Sequence, residues 1–227
     1  MSGLDLVIFD CDGVLVDSEL LSTKAIHAVL AGEGIDVPLD AVTCCIGMKQ
    51  ADILDSVAER MQISISPSVA QNIWPATRAL FQESLSCTKG LREFLDGLQL
   101  PRCVASSSSH ERIAFSLSLT GLAPYFRPGA IFSSSDVARG KPAPDLFLHA
   151  AARMGVEPAR CLVIEDSRFG VLGSIAAGMR VIGFAGGSHS GPAMARDLEA
   201  SGATWIAHSW VDVERLLSSE MMVSHQT

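Results

Sequence analysis

With 227 residues, 48% of them hydrophobic and 19% charged, the chain has the apolar content for a buried core, which excludes fibrous, disordered and low-complexity architectures. Its 17 basic and 25 acidic side chains leave a formal charge of −8 with no basic tract, which argues against nucleic acid as a partner. An anionic substrate would need positive potential supplied locally, by a metal, a lysine or helix N-termini.

No basic segment precedes the first apolar run, and Asp5 and Asp10 break and close that run, so no signal peptide is expected. Nowhere does an apolar stretch approach the ~20 residues that cross a bilayer. The expectation is a cytoplasmic chain without a membrane partner. Residues 6–9 are the first of five short apolar runs that read as strands, the others being 103–105, 130–132, 161–164 and 181–184. About ninety residues part the first run from the second, where a single crossover needs roughly a dozen. That stretch has helical period. Leu20, Leu21, Ala25, Ile26, Val29 and Leu30 share a face that Gly32 and Gly34 close, and Ile53, Leu54, Val57, Ala58 and Met61 form a second stripe. A small helical domain over 17–86 is expected, inserted into a core made of 1–16 and 87–227.

Between the later runs, Leu91, Phe94, Leu95 and Leu98, and then Leu146, Phe147, Ala150, Ala151 and Met154, again recur at helical spacing. Strand and helix alternating in this way predict an α/β core, a Rossmann-like parallel sheet with helices on both faces. Chemistry in such sheets lies beyond the carboxyl ends of the strands. The tail after Ser218 is expected to fray. The six cysteines form no C-x-x-C pair and read mostly as small core residues, although Cys11 stands between two aspartates, where a catalytic thiol is the alternative. The six histidines show no zinc-binding pattern.

Three strand ends and one loop carry the polar residues that matter. Asp10 and Asp12, two apart after the first run, tend to point the same way, and Gly13 lets the chain turn behind them. Glu165 and Asp166 follow the fourth run. Two acidic pairs at the same end of parallel strands repel unless a cation sits between them, and all-oxygen ligands suit Mg²⁺. Ser106, Ser107, Ser108 and Ser109 follow the second run, and Ser108 with Glu111 has the spacing of a capping box, which predicts a helix start beside free hydroxyls, a ready phosphate site. Lys141 is fixed in a proline-stiffened loop, where its ammonium can hold the aspartates ionised and neutralise a substrate anion. A nucleophilic carboxylate, a second carboxylate, metal ligands, a hydroxyl donor and a lysine are what phosphoryl transfer through an aspartyl-phosphate requires.

These residues resemble, in order, the four motifs of the haloacid dehalogenase superfamily, in the branch with a helical cap after the first strand that also holds β-phosphoglucomutase. They stand here as Phe9-Asp10-Cys11-Asp12-Gly13-Val14, the strand end Val104-Ala105-Ser106, Gly140-Lys141-Pro142-Ala143-Pro144-Asp145 and Val163-Ile164-Glu165-Asp166-Ser167. The resemblance implies a phosphatase in which Asp10 attacks phosphorus and Asp12 serves as acid and base. Ser106 and Lys141 would hold the phosphoryl group, and Asp10, Asp12 (through its main-chain carbonyl), Glu165 and Asp166 would hold Mg²⁺. Ser107, Lys49 and Arg78 are candidate substrate contacts. The opening residues most resemble bacterial phosphatases of phosphorylated sugars, sugar acids or polyols, including those acting on 6-phosphogluconate. The related mutase carries a cap histidine ten residues after its second aspartate. Ser22 occupies that position here, and His27, five residues on, is about 140° further round a helix. A mutase is therefore the alternative reading, and a catalytically silent phosphate-binding protein a more distant one. The sequence leaves the oligomeric state open, and a monomer is compatible with all of these roles.

Overall fold

The computed structural model describes residues 3–45 and 48–223. Six strands, β1 (Leu6–Phe9), β2 (Arg102–Ser106), β3 (Ile131–Ser133), β4 (Cys161–Glu165), β5 (Arg180–Phe184) and β6 (Trp205–Ala207), form one sheet in the order β3-β2-β1-β4-β5-β6. Every pairing is parallel. The order reverses direction at β1 and β4, and the crevice beyond the carboxyl ends of two such strands is where open α/β sheets bind ligands.

Strand residues alternate between two apolar layers, as a period of two demands. Val7, Phe9, Val104, Leu162, Ile164, Ile182 and Phe184 pack on one face, against α5 (Leu91–Gly97), α6 (His110–Leu119) and α10 (Trp210–Val223). Leu6, Ile8, Cys103, Ala105, Cys161, Val163 and Val181 pack on the other, against α7 (Asp145–Met154), α8 (Arg168–Ala176) and α9 (Pro192–Ala200). Burial on both sides explains why the strands read as continuous apolar runs. Phe9, the residue before Asp10, meets Phe94 and Phe126 edge-on with centroids 6.3 and 6.2 Å away, and Trp210 at 6.1 Å. Each such pair contributes roughly 0.5–1.5 kcal/mol beyond area burial. The first aspartate therefore follows a rigid, clamped strand.

Between β1 and β2 the chain forms α1 (Glu19–Gly32), α2 (Leu39–Thr43), α3 (Gln50–Met61) and α4 (Pro67–Ser84) before α5. Ile26, Leu30, Val42, Leu54, Val57, Val69 and Ile73 make a third apolar cluster, separate from the two sheet layers. The connections on either side of these helices run next to each other. The Asp17 N–H donates to Ser86 O at 2.9 Å and the Thr88 N–H to Leu15 O at 3.2 Å. Buried Thr88 donates its hydroxyl to Val14 O at 2.6 Å and accepts from the Trp210 indole at 2.8 Å, which ties this crossing point to the aromatic layer.

Four expectations are corrected. Leu20 is 43% exposed, because the inward face of the first turn of α1 is taken by Glu19, Ser22 and Thr23. The helix after β2 is capped by Ser109, which accepts from the Arg112 N–H, one residue later than the capping-box spacing predicts, since Ser108 and Glu111 are engaged elsewhere. Helix α10 continues to Val223, past the expected fraying point. Strand β6, only three residues long, is not among the runs the sequence marks.

Candidate active site

The crevice at β1 and β4 gathers the motif residues. Asp10 follows β1 directly, held by its N–H on Ile164 O at 3.0 Å, and Glu165 and Asp166 stand at the end of β4 beside it. Lys141, its side chain 1% exposed, donates to Asp10 Oδ1 at 2.7 Å and to Glu165 Oε1 at 2.5 Å. Glu165 Oε2 accepts from both the N–H and the hydroxyl of Ser167, at 2.8 and 2.9 Å, so both of its oxygens are fixed. Burial opposes the charge of Lys141, but Asp10 and Glu165 override it and hold the ammonium above its ordinary range. Burial, with the charges of Glu165, Asp166 and Asp12, raises the Asp10 carboxyl well above the usual carboxylate value despite Lys141. Asp166 is raised well above its ordinary value by burial and by Glu165.

Asp10, Glu165 and Asp166 each bring a carboxylate oxygen within 4.8 Å of the others, the one such acidic cluster among the described residues. Asp166 Oδ2 is buried without a hydrogen bond. Three crowded carboxylates, one with an orphaned oxygen, and one ammonium between two of them form a donor set short of positive charge. A hard divalent cation with oxygen ligands fits it. Gly13 makes the approach possible: its φ of +75° is a left-handed turn, and a Cβ there would fall 1.8 Å from Asp166 Oδ2.

Asp12 faces a different set of partners. Its carboxylate accepts from Ser18 Oγ (2.8 Å), Ser106 Oγ (3.4 Å), Ser108 Oγ (2.6 Å) and Arg112 Nη2 (2.6 Å). Burial pulls its pKa up, but Arg112 and the hydroxyls of Ser108 and Ser18 outweigh it and hold the carboxyl below the ordinary value. Two aspartates in one short turn thus sit in different fields, Asp10 raised and Asp12 lowered, and a cation among Asp10, Glu165 and Asp166 would draw the Asp10 carboxyl back down. Cys11, between them, is 1% exposed in the apolar layer, and burial with the two aspartates pushes its thiol well above the ordinary range, so it is no thiolate nucleophile.

Above the aspartates lies a cavity of about 150 Å³, lined by Asp10, Asp12 and Ser106 to Ser109 from the core and by Glu19, Ser22, Met48, Gln50 and Trp74 from the inserted helices. Lys49 and Arg78 do not line it. Lys49 donates to Ser134 O at 3.2 Å and lies against Gly140, while Arg78 sits over the Phe115 ring and 3.8 Å from Glu111. Both join the inserted helices to the core. Part of the loop before Lys49, at 46–47, lies outside the described residues.

The family profile described as haloacid dehalogenase-like hydrolase matches residues 7–184. The chain belongs to this family. Among its relatives is the 6-phosphogluconate phosphatase of Escherichia coli K12, 32% identical over 194 residues that span 85% of this chain and 87% of that protein. The fructose-1-phosphate phosphatase of the same organism is 31% identical, over 78% of this chain and 94% of its own length. A solved haloacid dehalogenase-like protein of unknown function from Agrobacterium tumefaciens superposes with a TM-score of 0.81 at 37% identity, covering 96% of this chain and 99% of that one.

Within this haloacid dehalogenase-like frame, sequence reading missed three site residues. Arg112, in the first turn of α6, reaches both Asp12 and, at 2.8 Å, Ser22 Oγ. A lone arginine in a helix gives no pattern to find. Glu19, at the start of α1, is buried beside the site, and burial with Asp166 and Asp12 raises its carboxyl to about 8. His189, in the loop after β5, lies with Nε2 2.9 Å from Asp166 Oδ2, and burial lowers its pKa below the ordinary value. Its distance in sequence from every motif hid it.

Proposed function

We propose that this protein is a Mg²⁺-dependent phosphomonoesterase that works through an aspartyl-phosphate on Asp10 and takes a small phosphorylated sugar, sugar acid or polyol. The observation that carries this reading is the focus of Lys141, Glu165 and Asp166 on Asp10 at the switch point of the sheet. Sugar-phosphate phosphatases among its relatives support the substrate class. The cavity volume of about 150 Å³ supports a small ester, since a void of that size admits one small ring.

Asp10, Asp166 and the main-chain carbonyl of Asp12, with Glu165 beside them, would hold the ion, which supplies charge neutralisation at the transferring phosphoryl group. Asp10 attacks phosphorus as the bond to the ester oxygen breaks, and Asp12, ionised beside Arg112 in the free protein and protonated as the phosphate anion binds next to it, gives that proton to the departing alcohol. A water then attacks the phosphorus of the aspartyl-phosphate and gives its proton to Asp12, and the bond to Asp10 breaks to release phosphate. Ser106, Ser107 and the N-terminal turn of α6 offer donors to the phosphoryl oxygens, and Lys141 offsets their charge. Residues 17–86 act as a cap on a core of 1–16 and 87–227, turning at the paired connections on either side of it, and their closure excludes bulk water.

The mutase reading has less support, because Ser22 fills the place of the mutase histidine and its hydroxyl is committed to Ser18 O and Arg112. The test is phosphate release from a panel of sugar, sugar-acid, polyol and nucleotide monophosphates, with Mg²⁺ and with chelator, alongside a coupled assay for β-glucose 1-phosphate isomerisation. Metal-dependent release that Asp10→Asn abolishes is the expected result. Isomerisation without net release, or release that survives Asp10→Asn, overturns the proposal.

A further inference from the structure

We propose that His189 is a positioning residue for the metal centre, its Nε2 standing beside Asp166 Oδ2 so that the packed ring sets where this carboxylate meets the ion. The inference rests on the metal-site reading given above and extends it to a part of the chain that carries none of the four motifs. His189 belongs to the loop between β5 and α9. Both it and Asp166 have side chains 2% exposed, with Nε2 and Oδ2 2.9 Å apart. Neither atom makes a hydrogen bond to any other group, and the contact between them is itself off the hydrogen-bond angle. Each is thus a buried polar atom with the other as its near neighbour, a costly arrangement unless the pair functions together.

The loop is built to hold the ring there. A Cβ on Gly187 would fall 2.7 Å from His189 Cε1 and 2.9 Å from Gly13 O, so the loop backbone lies directly on the Asp12–Gly13 turn. A Cβ on Gly13 would meet the same ring at 3.0 Å, as well as Asp166. The Ser188 N–H donates to Asp17 Oδ1 at 2.7 Å, and the Ser190 N–H to Gly187 O at 3.0 Å, which pins the loop on both sides of the imidazole. Ring, glycine turn and carboxylate therefore form one packed unit, in which imidazole orientation sets carboxylate orientation. Partners behind a metal ligand commonly change metal affinity by 10–100-fold when removed.

The experiment is a calorimetric titration of the full chain with Mg²⁺, repeated with Mn²⁺, on wild type, His189→Gln and His189→Asn. The glutamine amide reaches the position of Nε2, whereas the asparagine amide reaches only that of Nδ1. Expected is metal binding by His189→Gln within about threefold of wild type and a roughly 10–100-fold loss in His189→Asn. Equal affinities in all three proteins, or equal losses in both variants, overturn the role of Nε2. Unfolding midpoints measured in chelator separate it from a packing role: a fall in midpoint for His189→Asn with unchanged metal affinity also overturns it. Failure of the wild type to bind either ion instead sinks the metal-site reading itself.

Discussion

Replacing Arg112 by methionine tests the electrostatic account of Asp12 in the folded protein without any substrate. The two side chains are 17% and 11% exposed and meet at 2.6 Å, so the pair is buried enough for its loss to leave an uncompensated charge. Breaking such a pair from one side costs about 3–5 kcal/mol. Asp12 keeps the hydroxyls of Ser18 and Ser108, which places the cost near the lower end, about 3 kcal/mol. For a chain of this size each kcal/mol moves the midpoint by about 2–4 °C, so a fall of roughly 6–12 °C is expected near pH 7. The pH dependence has a definite sign. In wild type the folded Asp12 pKa lies below its unfolded value of 3.8, so the pair's stabilisation is full above that value and is lost as pH falls through the depressed folded pKa. Without Arg112, burial dominates and raises the carboxyl, so the variant is penalised at neutral pH and relieved in acid. Calorimetric midpoints of both proteins in chelator, from pH 7.5 down to pH 4.5, should therefore converge as the pH falls. A midpoint difference that is absent at pH 7, or that widens towards acid, would refute the account.

Glu19→Gln should gain stability relative to wild type as pH rises from about 4.5 towards about 8, because the raised folded pKa of Glu19 makes its ionisation increasingly costly across that window. Midpoints in chelator at pH 5 and pH 8 check this, and a constant difference between the two proteins contradicts it. Thr88→Val leaves Val14 O and the Trp210 indole without their shared buried hydroxyl. At roughly 1–3 kcal/mol for each abandoned group, a loss of about 2–6 kcal/mol in urea unfolding is expected, and a change under 1 kcal/mol would mean that water replaces the hydroxyl.

The sheet was legible because its strands are buried on both faces. Residues 6–9 and 161–164 read as unbroken apolar runs for that reason, and the acidic pairs behind them stood out against the apolar background. β6 was illegible for the converse reason: at the sheet edge, Trp205 and Ile206 are only half-buried, and three residues carry no periodicity. Asp10, Asp12, Glu165, Asp166 and Lys141 could be found because each adjoins a strand end or a stiffened loop. Arg112, Glu19 and His189 act through tertiary approach alone. Glu19 opens a helix whose apolar stripe pointed to Leu20 instead, and the structure reverses this because the first turn of α1 looks into the site. Lys49 and Arg78, whose charge suggested contact with a substrate, span the seam between the inserted helices and the core.

The paired connections at residues 14–18 and 86–88 have a consequence for how such a protein can vary. Since the chain leaves the sheet and returns to it at one stitched point, its covalent path through the inserted helices opens and closes on a single ring. Helices can lengthen, shift or be exchanged there without altering the spacing of β1 and β2, because the two ends that must meet are already neighbours. Selection on the helical share of the cavity lining and selection on the carboxylate cluster thus act on different parts of the chain.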